Sequence, residues 1–274
     1  MKLPSASGLL NASIPLDGLT VSRGLPYGAH PRQRMDVYRQ PGGKGRPVVV
    51  WFYGGSWQTG QRQEYRFVAA ALARAGCVVA VPDYRLHPEV SYPAFVEDGA
   101  LAVQYAHAHA AGWGGDPARV FTMGHSAGAY IAVMLALAGG FGVQGLLAGA
   151  VGLAGPYDFL PIRDKDIQAV FASAAGLRDT QPINHVDGHA PPLLLLHGAP
   201  DLVVLARNSR RLAARITAKG GQVTLKTYPL AAHIGLVLGF VPWLAWRAPV
   251  MEAIMPFLHR HVAARQAQAI HAQA

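Results

Sequence analysis

The chain has 274 residues, of which 51% are hydrophobic and 14% are charged, so its composition excludes an intrinsically disordered protein. The formal net charge is +9, but the basic residues are scattered and no run reaches five, so a nucleic-acid-binding protein is not expected. No segment fits a signal peptide or a membrane span, which predicts a cytoplasmic protein without membrane insertion.

Short apolar runs that are separated by helical stretches make up most of the sequence. Residues 1–33 are rich in Gly, Pro and Ser and are expected to be mostly irregular, and weak alternation around Met35 predicts a short edge strand. The next strands are apolar on both faces, as a parallel sheet covered by helices requires, and are predicted at 47–53, 77–82, 119–123, 148–153 and 193–197. The single cysteine, Cys77, lies in such a run and is expected in the core. A more alternating run at 222–228 suits a sheet edge.

Helical patterns fill the gaps between these strands and are predicted at 62–75, 94–110, 126–138, 205–219 and 249–262. Strands that alternate with helices predict a doubly wound, mostly parallel sheet of about eight strands in one α/β domain that spans residues 1–274. Residues 159–192 interrupt this rhythm because they are polar and contain four prolines. That segment is interpreted either as a small lid-like insertion over a site or as a plain long loop.

A serine at a predicted strand-to-helix turn is the candidate nucleophile. Residues 124–128 read Gly-His-Ser-Ala-Gly, and they follow a predicted strand and precede a predicted helix. This is the setting in which a G-x-S-x-G motif places its serine on a strained turn, where bulky flanking residues would collide with the neighbouring strand and helix. The sequence therefore predicts that Ser126 is a catalytic nucleophile.

A serine nucleophile needs a base and an acid that orients the base, and in this type of fold they follow the serine in the order acid, then histidine. Asp201 is the first acid after the strand at 193–197 and is assigned the orienting role, with a helix N-cap as its alternative interpretation. Asp158 is the second choice. His233 follows the last predicted strand by five residues and is the predicted base. No histidine pair has metal-ligand spacing, so a metal site is not expected. Hydrolysis by a serine, a histidine and an acid needs no cofactor, and none is expected.

Two glycines after the first buried strand are the candidate oxyanion turn. Residues 53–57 read Tyr-Gly-Gly-Ser-Trp, a sequence that frees backbone N–H groups to face a substrate oxygen. We predict that the amides of Gly55 and Ser56 form an oxyanion hole together with that of Ala127, which directly follows the nucleophile. A plain tight turn is the alternative.

With these residues in place, the chain resembles the α/β-hydrolase esterases, in particular the branch with hormone-sensitive-lipase-like carboxylesterases, feruloyl-esterase-like enzymes and kynurenine formamidases. The resemblance covers about residues 33–262. It is carried by Gly54-Gly55-Ser56-Trp57, Asp83-Tyr84-Arg85-Leu86-His87-Pro88, Asp116-Pro117-Ala118-Arg119-Val120, residues 124–128 and His197-Gly198-Ala199-Pro200-Asp201. It implies that the Tyr-Arg-Leu segment and Asp98 support the site. Those families usually have His where this chain has Tyr53, and often Gly or Tyr where it has Ser56.

The resemblance implies a serine hydrolase that cleaves small-molecule carboxylic esters through an acyl-enzyme intermediate. An arylformamidase acting on N-formylkynurenine-type amides through the same three residues is the first alternative. A non-catalytic binding protein on this fold is an alternative from a different class.

An aromatic and aliphatic set is assigned to the substrate pocket, and it consists of Trp57, His125, Phe159, Leu236 and Phe240. Part of this apolar set, together with Phe171, Trp243 and Trp246, could equally be core or a self-association face, which leaves a homodimer open.

Overall fold

The computed structural model describes residues 10–12 and 14–271, and the irregular structure expected at 1–9 and 13 lies outside the described residues. Eight strands form a single sheet whose central members are apolar on both faces, as predicted. The strands are β1 Thr20–Pro26, β2 Arg34–Arg39, β3 Arg46–Phe52, β4 Val78–Pro82, β5 Gly115–His125, β6 Leu147–Leu153, β7 Leu193–Gly198 and β8 Val223–Tyr228.

The strand order is β1-β2-β4-β3-β5-β6-β7-β8, and β2 runs antiparallel to both of its neighbours whereas the strands from β4 to β8 pair in parallel. This confirms the predicted mostly parallel sheet, with β8 at one edge. The strand predicted around Met35 is not an edge strand, because β1 covers it. The segment 1–33, expected to be mostly irregular, therefore contains a strand. Its apolar alternation is obscured because the register shifts between Ser22 and Leu25, around Gly24 with its positive φ of 65°.

Helices cover both faces of the sheet. They are α1 Arg66–Arg74, α2 Ala94–His109, α3 Ala127–Leu137, α4 Lys165–Val170, α5 Arg207–Ala218, α6 Gly235–Leu238 and α7 Val250–His271. On β6, a side-chain carbon at Gly149 would meet Phe257 of α7, whereas one at Gly152 would meet Val133 of α3. Because side chains alternate along a strand, residues three apart point to opposite faces, so α3 and α7 lie on opposite sides of the sheet. The predicted doubly wound architecture is thus confirmed.

The segment 159–192 connects β6 to β7 and is packed against the rest of the chain. It contains α4 and two short 3₁₀ turns, Leu177–Thr180 and Pro182–His185. The Tyr130 hydroxyl on α3 donates a hydrogen bond to the Thr180 carbonyl at 2.7 Å, and Phe171 is fully buried. These contacts hold the segment over the first turns of α3, where the candidate nucleophile lies.

Cys77 is buried and unpaired, as predicted, and burial raises the pKa of its thiol to about 12. Within the part of the chain that the structure describes, no helix combines the length and apolar character needed to cross a bilayer.

Candidate active site

Ser126 lies on the turn between β5 and α3, with a φ of 56° and a ψ of −121°. A positive φ is unusual for a residue with a side chain, and such strain concentrates at functional sites. The two flanking glycines are required for close packing. A side-chain carbon at Gly128 would lie 2.0 Å from the Phe52 carbonyl oxygen, and one at Gly124 would lie 2.4 Å from the backbone of Gly128. The strained turn therefore depends on both glycines of the motif.

Asp201 and His233 come together after two neighbouring parallel strands, β7 and β8. His233 Nδ1 donates a hydrogen bond to Asp201 Oδ2 at 2.8 Å, and both side chains are buried. Asp201 Oδ1 accepts the backbone N–H groups of Val203 and Val204 at 2.9 and 3.0 Å. Burial alone would raise the pKa of Asp201, but hydrogen bonds from His197, His233 and the Val204 amide outweigh it and hold that pKa well below its ordinary value. The carboxylate is therefore ionised and can orient His233.

The geometry supports neither Asp158 as the orienting acid nor a helix N-cap as the role of Asp201. Asp158 Oδ2 instead accepts a hydrogen bond from Arg211 Nη1 at 2.8 Å. Asp201 does not cap the helix that follows it, because α5 begins at Arg207 and Ala206 occupies the cap position.

His125, within the motif, packs against His233 instead of lining a substrate cavity. Their ring centroids are 4.6 Å apart, and His125 Nε2 lies 3.0 Å from the His233 carbonyl oxygen. Burial, with a smaller contribution from the neighbouring His233, lowers the pKa of His125 to about 3. His125 is therefore neutral at pH 7, and because a carbonyl only accepts, its proton is on Nε2. The pocket role predicted for His125 is therefore not supported by the geometry, because its ring packs against His233, a contact that its place in the chain does not indicate.

The predicted oxyanion turn has three consecutive residues with positive φ, which are Gly55 at 121°, Ser56 at 53° and Trp57 at 60°. At Gly55 a side-chain carbon would lie 2.2 Å from the Thr59 carbonyl oxygen, so only glycine fits. Within the described residues, the Gly55, Ser56 and Ala127 amides have no hydrogen-bond acceptor. Ser56 and Ala127 line the same cavity as Ser126, so their free amides suit a substrate oxyanion.

That cavity has a volume of about 290 Å³, and its walls are mostly apolar. Besides Ser126, the lining residues are Ser56, Trp57, Ala127, Pro156, Phe159, Ile162, Arg163, Asp164, Ile167, Val203 and Val204. Of the predicted pocket residues, the structure brings Trp57 and Phe159 to this cavity, and the segment 159–192 supplies part of its wall.

The structure does not bring Leu236, Phe240 or His125 to the cavity. Leu236 on α6 is fully buried in the core. Phe240 packs edge-on against Trp51, with ring centroids 5.4 Å apart, and lines a separate cavity of about 480 Å³. For Leu236 and Phe240, apolar character alone does not distinguish a pocket wall from the core.

Asp98 occupies the supporting position that the resemblance implies. Its carboxylate is fully buried and accepts hydrogen bonds from Arg85 Nη2 at 2.7 Å, the Arg85 amide at 2.8 Å and Gln33 Nε2 at 2.6 Å. This pairing anchors the loop after β4 to α2. The same loop is also bonded to the oxyanion turn, because the His87 amide donates a hydrogen bond to the Trp57 carbonyl.

A nearly all-parallel sheet with a serine on a strained turn after β5 defines the α/β-hydrolase fold. Solved structures agree with this class. EstE1, a carboxylesterase cloned from a metagenomic library, superposes with a TM-score of 0.76 at 19% identity, covering 91% of this chain and 94% of that one. Esterase 2 of Thermogutta terrifontis, in a structure phosphonylated by sarin, gives a TM-score of 0.72 at 20% identity, covering 88% of this chain and 96% of that one.

The chain belongs to the BD-FAE family, whose family model matches residues 35–216 and therefore includes Ser126 and Asp201 but ends before His233. Among curated proteins it is 28% identical to a probable isoprenylcysteine alpha-carbonyl methylesterase of Arabidopsis thaliana over 246 residues, covering 80% of this chain and 52% of that protein. It is 29% identical to esterase LipC of Mycobacterium tuberculosis over 266 residues, covering 87% of this chain and 64% of that protein. The chain thus spans about half to two thirds of the length of these relatives. The resemblance to α/β-hydrolase esterases is confirmed.

Proposed function

We propose that the chain is a serine carboxylesterase in which Ser126 is the nucleophile, His233 the general base and Asp201 the acid that orients it. The observation that carries this proposal is the 2.8 Å hydrogen bond between His233 Nδ1 and the ionised Asp201. The ring of His233 also packs against His125, which directly precedes Ser126 on the strained turn. The names of the curated relatives, an esterase and a methylesterase, support the same chemistry.

The protonation of His233 follows from its partner. Because the Asp201 carboxylate only accepts hydrogen bonds, neutral His233 carries its proton on Nδ1 and has its lone pair on Nε2. Nε2 then takes the proton of the Ser126 hydroxyl as Oγ attacks the ester carbonyl, and the resulting imidazolium donates a proton to the departing alcohol. Water, activated by the same nitrogen, releases the acid from the acyl-enzyme.

The oxyanion formed in each step is held by the free amides of Gly55, Ser56 and Ala127. Ala127 is the first residue of α3, and the positive end of a helix dipole favours negative charge at that point.

The cavity around Ser126 restricts the substrate class. A volume of about 290 Å³ with apolar walls such as Trp57 and Phe159 suits short, uncharged acyl groups. Small esters with acetyl to butyryl groups, and methyl esters as in the name of the Arabidopsis relative, are the proposed substrates.

The test uses p-nitrophenyl butyrate and a fluorophosphonate probe with wild-type protein, Ser126→Ala and the control Ser22→Ala, which alters a serine on β1. We expect turnover and labelling of Ser126 in the wild type and the control, and neither in Ser126→Ala. Faster turnover of N-formylkynurenine than of any ester would replace the proposal with an arylformamidase. A folded wild-type protein that neither labels nor turns over would instead indicate a binding protein.

A further inference from the structure

A second histidine contacts the carboxylate of Asp201. His197 is the penultimate residue of β7 and is fully buried. Its Nε2 lies 2.7 Å from the Val204 carbonyl oxygen and 3.4 Å from Asp201 Oδ2, and its Nδ1 lies 2.7 Å from Ser209 Oγ on α5. Asp201 Oδ2 is therefore shared between two imidazoles, the second of which has no role in the proposed mechanism.

The hydrogen-bond partners of His197 fix its proton. Nε2 faces a carbonyl oxygen and a carboxylate oxygen, both of which only accept, so Nε2 carries a hydrogen. The only hydrogen bond of the Ser209 hydroxyl with the described residues is to Nδ1, so the hydroxyl donates and Nδ1 accepts. His197 thus directs the hydrogen on Nε2 at the loop that carries Asp201.

The loop that carries Asp201 is held by hydrogen bonds to the Asp201 carboxylate and to His197. The Val203 and Val204 amides donate to Asp201 Oδ1, while the Val204 carbonyl accepts from His197. His197 consequently binds both the loop backbone and the carboxylate oxygen that faces His233. With His197 absent, Asp201 Oδ2 would lose its 3.4 Å contact with Nε2, and the loop would lose the hydrogen bond to the Val204 carbonyl.

We propose that His197 is a positioning residue for the reaction, one that holds the Asp201 carboxylate against His233 Nδ1 and so keeps the base in its reactive orientation. This inference rests on the proposed function, because it assigns Asp201 and His233 the roles given there. The bond between Asp201 and His233 stabilises the imidazolium formed during catalysis. Loss of the His197 side chain is therefore expected to weaken this bond and to slow the reaction.

Few titratable groups of the described residues contact His233, either directly or through Asp201. Asp201 bonds it directly, the neutral His125 packs against its ring, and His197 contacts it through Asp201. A variant that loosens Asp201 therefore removes the main group that favours the charged form of His233.

The test compares two amides that differ in reach, His197→Gln and His197→Asn. Glutamine places an N–H near the position of Nε2, where it can still donate to the Val204 carbonyl and Asp201, whereas asparagine reaches only the position of Nδ1. We expect Gln to retain kcat for p-nitrophenyl butyrate within about threefold, and Asn to lose up to about 100-fold with little change in KM, as for a misplaced catalytic group.

Two further readouts separate positioning from simple folding. In His197→Asn, the acidic limb of the pH profile of kcat/KM should move to lower pH. This limb reports the base in the free enzyme. The low-field proton NMR signal of the His233 Nδ1–H should be present in the wild type and Gln and weakened in Asn. If His197→Asn does not fold, Ser209→Ala is used in its place, because it removes the hydrogen bond that holds the His197 ring. Ser209→Ala should shift the acidic limb of the pH profile in the same direction.

The proposal is overturned if folded His197→Asn keeps its kcat, or if activity falls while the acidic limb and the NMR signal stay unchanged. The NMR comparison needs no catalysis. Failure of the esterase assignment, seen as an active Ser126→Ala, therefore remains distinguishable from failure of the positioning role.

Discussion

Replacing His125 with glutamine should make the stability of the protein less sensitive to acid. Burial in the folded protein lowers the pKa of His125 from its ordinary value of 6.5 to about 3. Because the folded state binds the proton less readily than the unfolded state, stability is greatest above pH 6.5 and declines as the pH falls from 6.5 toward 3. Glutamine has a donor near Nε2 for the His233 carbonyl but does not titrate.

The size of the effect follows from the burial of the ring. Each pH unit below the unfolded pKa costs ~1.4 kcal/mol while the folded ring stays neutral, so the wild type should lose about 2 kcal/mol between pH 7 and pH 5 from His125 alone. Other groups titrate in both proteins, so the difference between wild type and His125→Gln isolates this contribution.

Urea unfolding at pH 7 and pH 5, followed by tryptophan fluorescence, measures the difference. A lower stability of the glutamine variant at pH 7 does not affect the test, because only the change in the free energy of unfolding between the two pH values is compared. If wild type and variant lose the same free energy of unfolding between the two pH values, His125 is not held neutral in the folded protein.

Three other substitutions test separate parts of the site. Asp201→Asn should lower kcat by ~10³- to 10⁴-fold in an ester-hydrolysis assay because it abolishes the carboxylate that fixes the His233 tautomer, whereas Asp158→Asn should retain activity. Phe159→Ala should raise the ratio of kcat/KM for hexanoyl over butyryl esters about tenfold, since each buried methylene is worth ~0.8 kcal/mol; an unchanged ratio would mean that Phe159 does not limit the acyl chain. Tyr53→Phe should cost about 1–3 kcal/mol in urea unfolding because it removes one hydrogen bond to the buried Asp83 carboxylate and leaves Arg62 to supply the others, and an unchanged midpoint would contradict this.

The fold was predictable because its strands are apolar on both faces and alternate with helical patterns, a combination that only a covered parallel sheet satisfies. The contact between Asp201 and His233 was also predictable, since residues that follow neighbouring parallel strands meet at one edge of the sheet. Strand β1 was not, because its bulge hides the alternation on which strand prediction depends.

The remaining parts of the site depend on contacts that chain position does not encode. The walls formed by Ile162 and Ile167 come from a segment whose path over α3 is set by tertiary contacts such as Tyr130 with Thr180. The position of His197 near the end of a buried strand was visible, but its contact with Ser209 on α5 exists only after the helix has packed against the sheet.

The oxyanion turn shows why Tyr53 can replace the histidine usual in the resembled families. Its ring stacks on Tyr84 with centroids 4.7 Å apart, and its hydroxyl donates to Asp83 at 2.9 Å. Arg32 Nη2 donates both to that hydroxyl at 3.1 Å and to the Gly60 carbonyl at 2.5 Å, so one guanidinium ties together the two ends of the turn. Since the proposed oxyanion donors are backbone amides, their position depends on the backbone path between these anchors. A tyrosine held from several sides fixes that path, and the side chain at 53 need not itself contact the substrate.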